Sequence, residues 1–581
     1  MNKQDLIKRI KDLIDISNDE KAYLIELVNT KKKYGLVWED KPEDVEEQLR
    51  SMLPVFKEVT ERAIVAENPE APNHILIEGD NLHALTALSY THEGKVDVIY
   101  IDPPYNTKNK DFKYNDTFVD KEDSFRHSKW LSFMDKRLRL AKKLLSEKGV
   151  IFISIDDNEN AQLKLLCDDV FGENNFIRDI IWQSRKSVSN DAFISLNHNY
   201  TLFYSKNFDN LNKENFKLPI NTSKFENLDN DPRGAWSADP FDAPGIRPNL
   251  TYPIINPNNG KEYLPAKGRC WRVAEVDYIK FLNDNRIVFG KNGLSKPQLK
   301  RFLNEAEGKG ATATSLWNDI ETTTNGTQQL ESILGDKLFT NPKPLGLLLN
   351  ILKLTTTKNK NSIILDFFAG SGTTLHATMT LNAEDGGNRQ CILVTNNENN
   401  IAEEVTYERN KRVIQGHTNA KGEHVEGLSN NTLRYYQADF VPSERTEINR
   451  RLLTARSTEL LCIKENCFID NTKEFSINEK QAKLFTNGLG KYMVVVYHTR
   501  NQDEVIEQLS GIIADLDTTE KVKVYAFSPE KEIIEDDFYK VADKITAVPL
   551  PDSIYNAYRA TFRTLKLDKK EAVSSTTNQE A

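Results

Sequence analysis

Short runs of β-branched and apolar residues that end in polar loops constrain the fold of this chain more than any other feature. HILIEGD, VDVIYIDPPY and GVIFISIDD are such runs, and stretches with helical spacing, such as Trp130 to Leu145, separate them. The same texture returns much later in NSIILDFFAGSGTTLHATMTL and CILVT. Buried strands that alternate with helices predict a parallel sheet covered by helices, which is an α/β fold.

A loop-rich insertion interrupts this pattern. Between about Asn207 and Leu338 the alternation stops, and Pro, Gly, Asn and aromatic residues accumulate. One sheet is therefore predicted in two halves around an inserted domain. A helical segment precedes the two halves of the sheet, and a small α/β segment follows them. The helical segment could equally be a solvated cap on the next domain. The predicted units are a helical arm at 1–60, half-domains at 61–206 and 339–440, the insertion at 207–338, a small C-terminal α/β domain at 441–568 and a disordered tail at 569–581.

Charge, hydropathy and cysteine usage exclude several protein classes. The net charge of −9 argues against a surface that binds nucleic acid everywhere, so any such groove would be local. No apolar run approaches the ~18 residues that span a membrane, and no secretory signal is recognisable, so we expect a cytoplasmic protein. The five cysteines form no CxxC pair, and we expect neither a metal site nor disulfides.

The tetrapeptide Asp102-Pro103-Pro104-Tyr105 directly follows the predicted strand VDVIYI. It therefore lies at the carboxyl edge of a parallel sheet, where α/β enzymes bind ligands. The prolines remove backbone donors and stiffen the turn, so its carbonyls remain as acceptors. A carboxylate, carbonyl acceptors and an aromatic ring suit the exocyclic amine of a stacked base. A stiffened turn with a helix-capping Asp is the alternative.

A second strand, turn and helix contains DFFAGSGTT, which begins at Asp366. The segment lacks the lysine of a P-loop and the third glycine of the dinucleotide-binding fingerprint. A glycine pair without a phosphate-clamping lysine fits a cofactor that carries an amino acid and an adenosine but no phosphate, which describes S-adenosylmethionine. Gly370 and Gly372 would allow close backbone approach, and Phe368 would supply an apolar wall. Taken alone, an ordinary tight turn is the alternative.

Further motifs extend the pattern over nearly the whole chain. They are KKYGLVWEDKPE, LIEGDNLHAL, YIDPPYNT, FISIDDNE, DPRGAW, FTNPKPLGLL, LDFFAGSGTT, VTNNENNIAEEVTYER and PLPDSIYNAYR. With the DPPY loop before the insertion and the glycine loop after it, the chain resembles the β class of amino-methyltransferases. It resembles most closely the modification (Mod) subunit of type III restriction-modification systems. This resemblance implies a Rossmann-like methyltransferase sheet in permuted motif order, with an inserted target recognition domain.

The resemblance also implies roles for individual residues. It implies contacts to the target adenine from four residues, Asp102, Pro103, Pro104 and Tyr105. It implies contacts to S-adenosylmethionine from seven residues, Asp80, Asp366, Phe368, Gly370, Gly372, Thr373 and Glu398. For Asp80 and Glu398, a helix cap or a solvated carboxylate is the alternative. Lys343 and Pro344 match a motif beside the cofactor. Phe367 departs from the Pro of many β-class enzymes, as is common in type III proteins.

The implied activity is methyl transfer to N6 of adenine in double-stranded DNA, by base flipping and direct transfer. An Asp that opens the catalytic tetrapeptide goes with adenine N6, whereas Ser there usually goes with cytosine N4. The implied partners are a second copy of the chain and a restriction (Res) helicase/endonuclease subunit. Basic and aromatic residues of the insertion are candidates for contacts to DNA, namely Arg233, Arg247, Lys267, Arg269, Arg272, Lys296, Lys300, Arg301, Trp236, Tyr252, Tyr263 and Trp271.

Three other functions remain open at this point. An orphan enzyme without a restriction partner would methylate DNA equally well. Related (D/N)PPY loops also serve methylation of RNA adenine or of protein amides, although the large insertion and the leading Asp disfavour that reading. A catalytically silent specificity subunit is the third, and the intact DPPY and FAGSGTT loops disfavour it.

Overall fold

A large mixed sheet with helices on both faces forms the centre of the computed structural model. The structure describes residues 9–10, 13, 20–21, 24, 37–107, 112–114, 117–119, 123–498, 501–528 and 536–567. The strands of this sheet are β1 Met52–Glu58, β2 Asn73–Glu78, β3 Val96–Ile101, β4 Leu145–Ile155, β5 Phe176–Trp182, β6 Asn199–Ser205, β7 Leu316–Trp317, β8 Ile363–Asp366, β9 Gln390–Thr395 and β10 Thr432–Pro442.

The order of the strands is β1-β10-β2-β9-β8-β3-β4-β6-β5-β7. Neighbours from β10 to β4 are parallel, whereas β1, β6 and β5 run antiparallel to the strand they join. The strand β8 comes from after the insertion, yet it pairs between β9 and β3 at the centre of the sheet. The turns after β3 and β8 therefore leave adjacent strands at the same carboxyl edge.

Helices cover both faces of this sheet. They are α1 Asp44–Ser51, α2 Asn81–Thr91, α3 Arg126–Leu144, α4 Asn160–Phe171, α5 Thr323–Leu334, α6 Leu345–Thr356, α7 Thr373–Asp385 and α8 Glu408–Gln415. Alternate strand residues enter two separate hydrophobic cores, because successive side chains point to opposite faces. Ile99 packs with α2, α3 and α4 on one face, and Val98 packs with α5, α6 and α7 on the other. This is the predicted α/β architecture.

The inserted domain is small and rich in loops. Its strands Trp236–Pro240, Ile287–Val288 and Gln298–Phe302 form one sheet, and Asp242–Pro244 pairs with Arg269–Trp271. The helices Glu275–Asn283 and Leu303–Lys309 complete it, together with hairpin Ile254–Ile255 and Glu262–Tyr263. A separate hydrophobic core forms around Phe241 and Trp271.

The C-terminal unit is a five-stranded sheet with helices. Its elements are α9 Glu447–Arg456, α10 Thr458–Glu465, β11 Ile469–Asp470, β12 Ala482–Thr486, β13 Tyr492–Val496, α11 Gln502–Asp515, β14 Val522–Phe527, β15 Ile545–Leu550 and α12 Asp552–Thr564. Leu460 of α10 and Tyr558 of α12 belong to the same hydrophobic core as α2. Lys464 also donates to the carbonyl of Tyr90 at 3.1 Å. This unit therefore shares a core with the domain built on the large sheet.

The structure departs from the expected boundaries at two places. Met52–Glu58 was expected in a helical arm, but it pairs with β10 as the edge strand β1, because Leu53, Val55 and Phe56 are buried. Leu316–Trp317 was expected in the insertion, but it pairs with β5 at the opposite edge. Half of the predicted arm, namely residues 1–8, 11–12, 14–19, 22–23 and 25–36, and the tail at 569–581 lie outside the described residues.

Candidate active site

Asp102 follows the last residue of β3 and has its carboxylate bound on both oxygens. Its Oδ1 accepts a hydrogen bond from the Tyr105 hydroxyl at 2.9 Å. Its Oδ2 accepts one from the Lys343 ammonium, which also lies 5.2 Å from the centre of the Tyr105 ring. The Asp102 side chain remains 26% exposed. The three side chains form one charged cluster that orients the carboxylate and leaves part of it open to a ligand.

The DPPY turn, residues 102–105, is held from behind by neighbouring side chains. The buried indole of Trp130 donates to the Pro104 carbonyl at 2.7 Å. The next residue, Asn106, has a φ of 54°, in the left-handed region that Asn tolerates better than most residues. Its side-chain amide donates to Glu159 Oε1, and its carbonyl accepts from Arg126 at 3.2 Å. The conformation of the turn is thus fixed by contacts rather than by the prolines alone.

Glu159 is a fully buried carboxyl group behind this turn. Burial raises its pKa to about 8, although the Asn106 amide and the Arg126 charge act in the opposite direction. His127 Nδ1 lies 2.7 Å from Oε1, and burial lowers the pKa of that imidazole. None of the described residues hydrogen-bonds to Glu159 Oε2. The support of the turn is therefore a titratable cluster.

Asp366 opens the glycine turn, residues 366–374, at the end of β8. Its Oδ1 accepts from the Phe368 backbone at 3.0 Å and its Oδ2 from the Thr374 hydroxyl at 2.6 Å. Burial raises its pKa to about 7, and both hydrogen bonds oppose that shift. Asp366 is only 2% exposed, and its two hydrogen bonds stabilise the turn.

Glycine is required at two positions of this turn, for a different structural reason at each. Gly370 and Gly372 have φ angles of 50° and 72°, which favour glycine. A Cβ on Gly372 would lie 2.4 Å from the side-chain nitrogen of Asn410, so the packing of α8 requires glycine there. Gly370 lines the cleft, and a Cβ there would lie 3.2 Å from the Phe339 ring. Gly370 is therefore the glycine that leaves room for a ligand.

Arg409 on α8 holds the glycine turn from the side away from the cleft. The guanidinium is fully buried and donates to the Ser371 carbonyl at 3.3 Å and to the Thr373 hydroxyl at 2.7 Å. Its described partners are carbonyl, hydroxyl and imidazole groups rather than carboxylates, and burial lowers its pKa to about 9. Thr406 donates to the Gly370 carbonyl at 2.6 Å. Thr406 lies in a π-helical segment, Ile401–Tyr407, a feature often found at functional sites.

A cleft of about 430 Å³ lies between the two turns, within the ~300–1,000 Å³ range of small-molecule sites. Its apolar walls include Phe112, Phe133 and Phe368. Among the described lining residues there are five carboxylates and two basic groups, namely Glu43, Asp44, Asp80, Asp102, Glu398, Lys113 and Arg137. Such a surface suits a cationic ligand better than a phosphate.

Asp80 and Glu398 line this cleft, and Asp80 also has the alternative role of a helix cap considered from sequence. Asp80 caps α2 by accepting from the Leu82 backbone at 2.7 Å, and it also lies 3.5 Å from Arg137. Glu398 pairs with Lys113 at 2.8 Å. Their carboxylates remain 31% and 42% exposed, so each can still accept a hydrogen bond from a ligand.

The predicted site residues divide into two groups. Six line the cleft, namely Asp80, Asp102, Pro104, Phe368, Gly370 and Glu398. The other five are not among its lining residues. Tyr105, Asp366, Gly372 and Thr373 make contacts that support the walls, and Pro103 is buried in the DPPY turn. Sequence reasoning missed the buried pair of Arg137 with Glu43, whose guanidinium lies 2.9 and 3.0 Å from the two carboxylate oxygens. No local signal reveals this pair, because Glu43 lies just before α1 and Arg137 lies on α3, far apart in sequence.

Several candidate DNA contacts of the insertion are buried or form ion pairs within the domain. Lys300 is fully buried between Asp229 and Asp231, so that prediction is wrong. Arg233 pairs with Asp231, and Arg269 pairs with Asp242, at 2.9 Å each. Three of the four candidate aromatics, Trp236, Tyr252 and Trp271, are buried in the insertion. Most of the pattern seen in the sequence therefore builds the domain itself.

The described residues offer neither a metal-binding cluster nor a membrane-spanning helix. No cluster of three or more His, Cys, Asp or Glu side chains in the described part of the chain could hold a metal ion. Within the same residues, every helix is too short or too polar to cross a membrane.

Comparison with known proteins gives concordant matches. The profile of a family described as DNA methylase matches residues 96–415. The chain is 38% identical over 381 residues to the type III restriction-modification enzyme StyLTI Mod subunit of Salmonella typhimurium, covering 60% of this chain and 56% of that protein. It is 35% identical over 389 residues to the EcoPI Mod subunit of Escherichia phage P1, covering 57% and 58%.

A third relative is covered more completely. The type II methyltransferase M.KpnI of Klebsiella pneumoniae is 34% identical over 366 residues, which are 58% of this chain and 84% of that protein. By contrast, the chain spans little more than half the length of the two Mod subunits.

Proposed function

The chain belongs to the DNA methylase family, and on this premise we propose that it transfers a methyl group from S-adenosylmethionine to N6 of adenine in double-stranded DNA. The observation that carries the proposal is the position of Asp102 beside a glycine-lined, acidic cleft on adjacent strands of one sheet. The relatives that match are named as Mod subunits and as a methyltransferase.

The cleft fits S-adenosylmethionine on three observations. Its excess of carboxylates suits a ligand with a sulfonium and an ammonium group and no phosphate. Gly370 leaves space that a Cβ would fill, and Phe368 supplies an apolar wall. Asp80 and Glu398 keep exposed oxygens that can accept from an adenine amine and from ribose hydroxyls. When bound, the cofactor would supply an electrophilic methyl group.

Asp102 and the DPPY turn would act on the target amine. Both carboxylate oxygens of Asp102 retain a second lone pair beside their present donors, Tyr105 and Lys343. None of the described residues donates to the Pro103 carbonyl, whereas the Pro104 carbonyl is taken by Trp130. Asp102 and the Pro103 carbonyl can therefore accept the two N6 hydrogens of adenine, which orients the nitrogen lone pair toward the cleft. After transfer, Asp102 is placed to take the proton that N6 loses.

Tyr105 and Lys343 would support this chemistry. The ring of Tyr105 is part of the turn and can stack on a base that has left the duplex. Its hydroxyl is committed to Asp102, and burial with the nearby carboxylate raises its pKa well above the ordinary range, so it remains a donor. The Lys343 ammonium offsets the negative charge of Asp102 in the semi-buried site.

The proposed assembly is a homodimer that binds one DNA site and docks a Res subunit of a type III system. The names of two relatives and the two-fold symmetry common among soluble oligomers support it. The C-terminal unit shares a core with α2, so removing residues after Val441 would damage the fold as well as any docking surface. Light scattering tests the dimer, and copurification with the product of a neighbouring reading frame tests the partner.

A methyl-transfer assay tests the proposed activity. Purified protein is incubated with tritiated S-adenosylmethionine and with duplex DNA, RNA or bulk protein in parallel. We expect label in DNA alone. Label only in RNA or protein, or in none of the three, would contradict the proposal.

A further inference from the structure

The loop between β5 and β6, residues 183–198, carries an unusual pair of side chains at its tip. Phe193 and Ile194 are the two most exposed large hydrophobic side chains in the described part of the chain, at 111% and 89% of their reference areas. Adjacent exposed side chains of this size are not expected on a surface that contacts only water, and such a patch marks an interaction site. We name residues 183–198 the hairpin loop.

Hydrogen bonds within the hairpin loop hold its stem together. The side-chain amide of Asn197 donates to the carbonyls of Arg185 and Ser187 at 3.2 and 2.9 Å. The backbone N–H of Ser189 donates to the Ser195 hydroxyl at 2.9 Å. The loop is therefore a bonded structure that presents its tip outward rather than packing it on the domain.

The hairpin loop emerges at the same edge of the sheet as the DPPY turn. Because β6 runs antiparallel to β4, the start of β6 lies beside the end of β4, with Tyr200 opposite Ile155. At the root of the loop, the Ser184 carbonyl accepts from Thr323 at 3.0 Å. Trp182, which immediately precedes the loop, donates from its indole to the Glu321 carbonyl at 3.0 Å.

These contacts continue to the catalytic carboxylate. Glu321 Oε2 accepts from the backbone of Gly346 at 2.9 Å, in the first turn of α6. Three residues earlier, Lys343 pairs with Asp102. The root of the hairpin loop is thus joined to the Asp102 cluster by one short series of contacts, which places the root of the loop relative to the site.

The charges beside the tip favour DNA as its partner. Arg185 and Lys186 are exposed at the base of the loop and can contact phosphates, while Asp191 is the one acidic residue in the loop. Phe and Ile are also side chains that DNA-deforming proteins insert between base steps. A base that leaves the duplex opens a gap and leaves its partner base unpaired, and an apolar ring with a branched neighbour can fill that gap.

We propose that Phe193 and Ile194 form a wedge that enters the DNA beside the target adenine and occupies the space left when that base is flipped. The proposal rests on the proposed DNA methylation and adds the element that makes extrusion of the base favourable. It assigns the hairpin loop to the target site itself, while the insertion would read the surrounding sequence.

The test compares a double variant, Phe193→Ala with Ile194→Ala, with wild type and with a matched control. Ile448→Ala is the control, because Ile448 is 78% exposed but lies on α9 of the C-terminal unit. Genomic DNA treated with wild type is first sequenced to identify the methylated site. Two short duplexes then carry that site, one with adenine paired normally and one with the target adenine opposite an abasic position.

We expect the double variant to lose at least ~10-fold in kcat/KM on the normal duplex and to return to within ~3-fold of wild type on the abasic duplex, where extrusion costs less. The control should match wild type on both. Thermal melting should be unchanged in all variants, because the substituted side chains are exposed. Light scattering of each variant checks the oligomeric state.

Three results would overturn the wedge. Wild-type rates for the double variant on both duplexes would remove any role, and an equal loss on both would indicate general binding rather than gap filling. A wild-type dimer that becomes monomeric in the double variant would show that the tip is a protein interface. Failure of wild type to methylate any DNA is a different outcome, which removes the proposed function and the wedge with it.

Discussion

The turn after β3 and the turn after β8 leave adjacent strands at one edge of the sheet, yet they are held in different ways. The DPPY turn is held through carboxyl groups. Lys343 donates to Asp102, and the side-chain amide of Asn106 donates to Glu159. The glycine turn is held by the carboxylate of Asp366, which among the described residues accepts hydrogen bonds only from groups of the turn itself. It is also held by the buried Arg409, which donates to a carbonyl and a hydroxyl of the turn. The first arrangement presents a charged acceptor to the cleft, and the second keeps a stretch of backbone free of side chains.

The largest expected effect is on the DPPY turn. Asp102→Ala should reduce methyl transfer by ~10³-fold or more, because the acceptor for the target amine is lost. Affinity for S-adenosylmethionine should stay within ~3-fold of wild type, since the glycine turn is intact. Turnover is measured with tritiated cofactor and affinity by calorimetry. Asp157→Ala, an exposed carboxylate after β4, is the control and should be neutral. Substantial turnover by Asp102→Ala would remove the assignment.

The second prediction places a side chain on the glycine turn. Gly370→Val should abolish measurable cofactor binding, because a branched side chain would occupy the cleft beside Phe339 and strain a φ of 50°. Gly386→Val is the control, since Gly386 has a φ of 67° but nothing within 4 Å of a Cβ. The control should lower Tm and keep wild-type affinity in calorimetry. Equal affinity losses in both variants would mean that backbone strain, and not the cleft, explains the effect.

Arg409→Leu sharpens the comparison by removing the contact behind the glycine turn. We expect KM for S-adenosylmethionine to rise by about 10-fold, with kcat at saturating cofactor within ~2-fold of wild type, because Asp102 is untouched. Lys411→Ala, a neighbouring half-exposed cation, should change neither constant. A loss confined to kcat would show that Arg409 serves the chemical step instead.

The smallest expected effect is a pH dependence of stability at the DPPY turn. The pKa of Glu159 is about 8 in the folded protein and about 4.5 in the unfolded chain. Between these two pH values, the folded protein keeps the Glu159 proton and the unfolded chain has released it. Wild-type stability should therefore fall as pH rises from 4.5 to 8, and Glu159→Gln should not share this loss. The difference in unfolding free energy, variant minus wild type, should grow by ~1–2 kcal/mol over that range.

Denaturant unfolding at several pH values measures this difference. Asp366, whose pKa is raised to about 7, also makes stability fall with rising pH. It is present in both proteins, so its contribution cancels in the difference. His127 and Arg126 face Glu159 and are likewise present in both. A difference that stays constant from pH 4.5 to 8 would contradict an uncharged buried Glu159.

The sequence allowed prediction of those features whose signals are local. The strand before Asp102 and the strand before Asp366 are short apolar runs that end at a turn, and both were identified with their order along the chain. Arg137, Glu159 and Arg409 were not identified, because they act on turns that are distant in sequence. A charged residue in an amphipathic helix is read as solvated unless its partner is known. Lys300 shows the same error, since the sequence pattern indicates a surface cation and the side chain is fully buried.

Nucleoside analysis of treated DNA tests the central claim most directly. DNA incubated with wild type or with Asp102→Ala and unlabelled S-adenosylmethionine is digested to nucleosides, and methylated species are identified by mass spectrometry. The account predicts N6-methyladenine with wild type and none above background with the variant. N4-methylcytosine as the product, or N6-methyladenine at similar levels from both proteins, would contradict it.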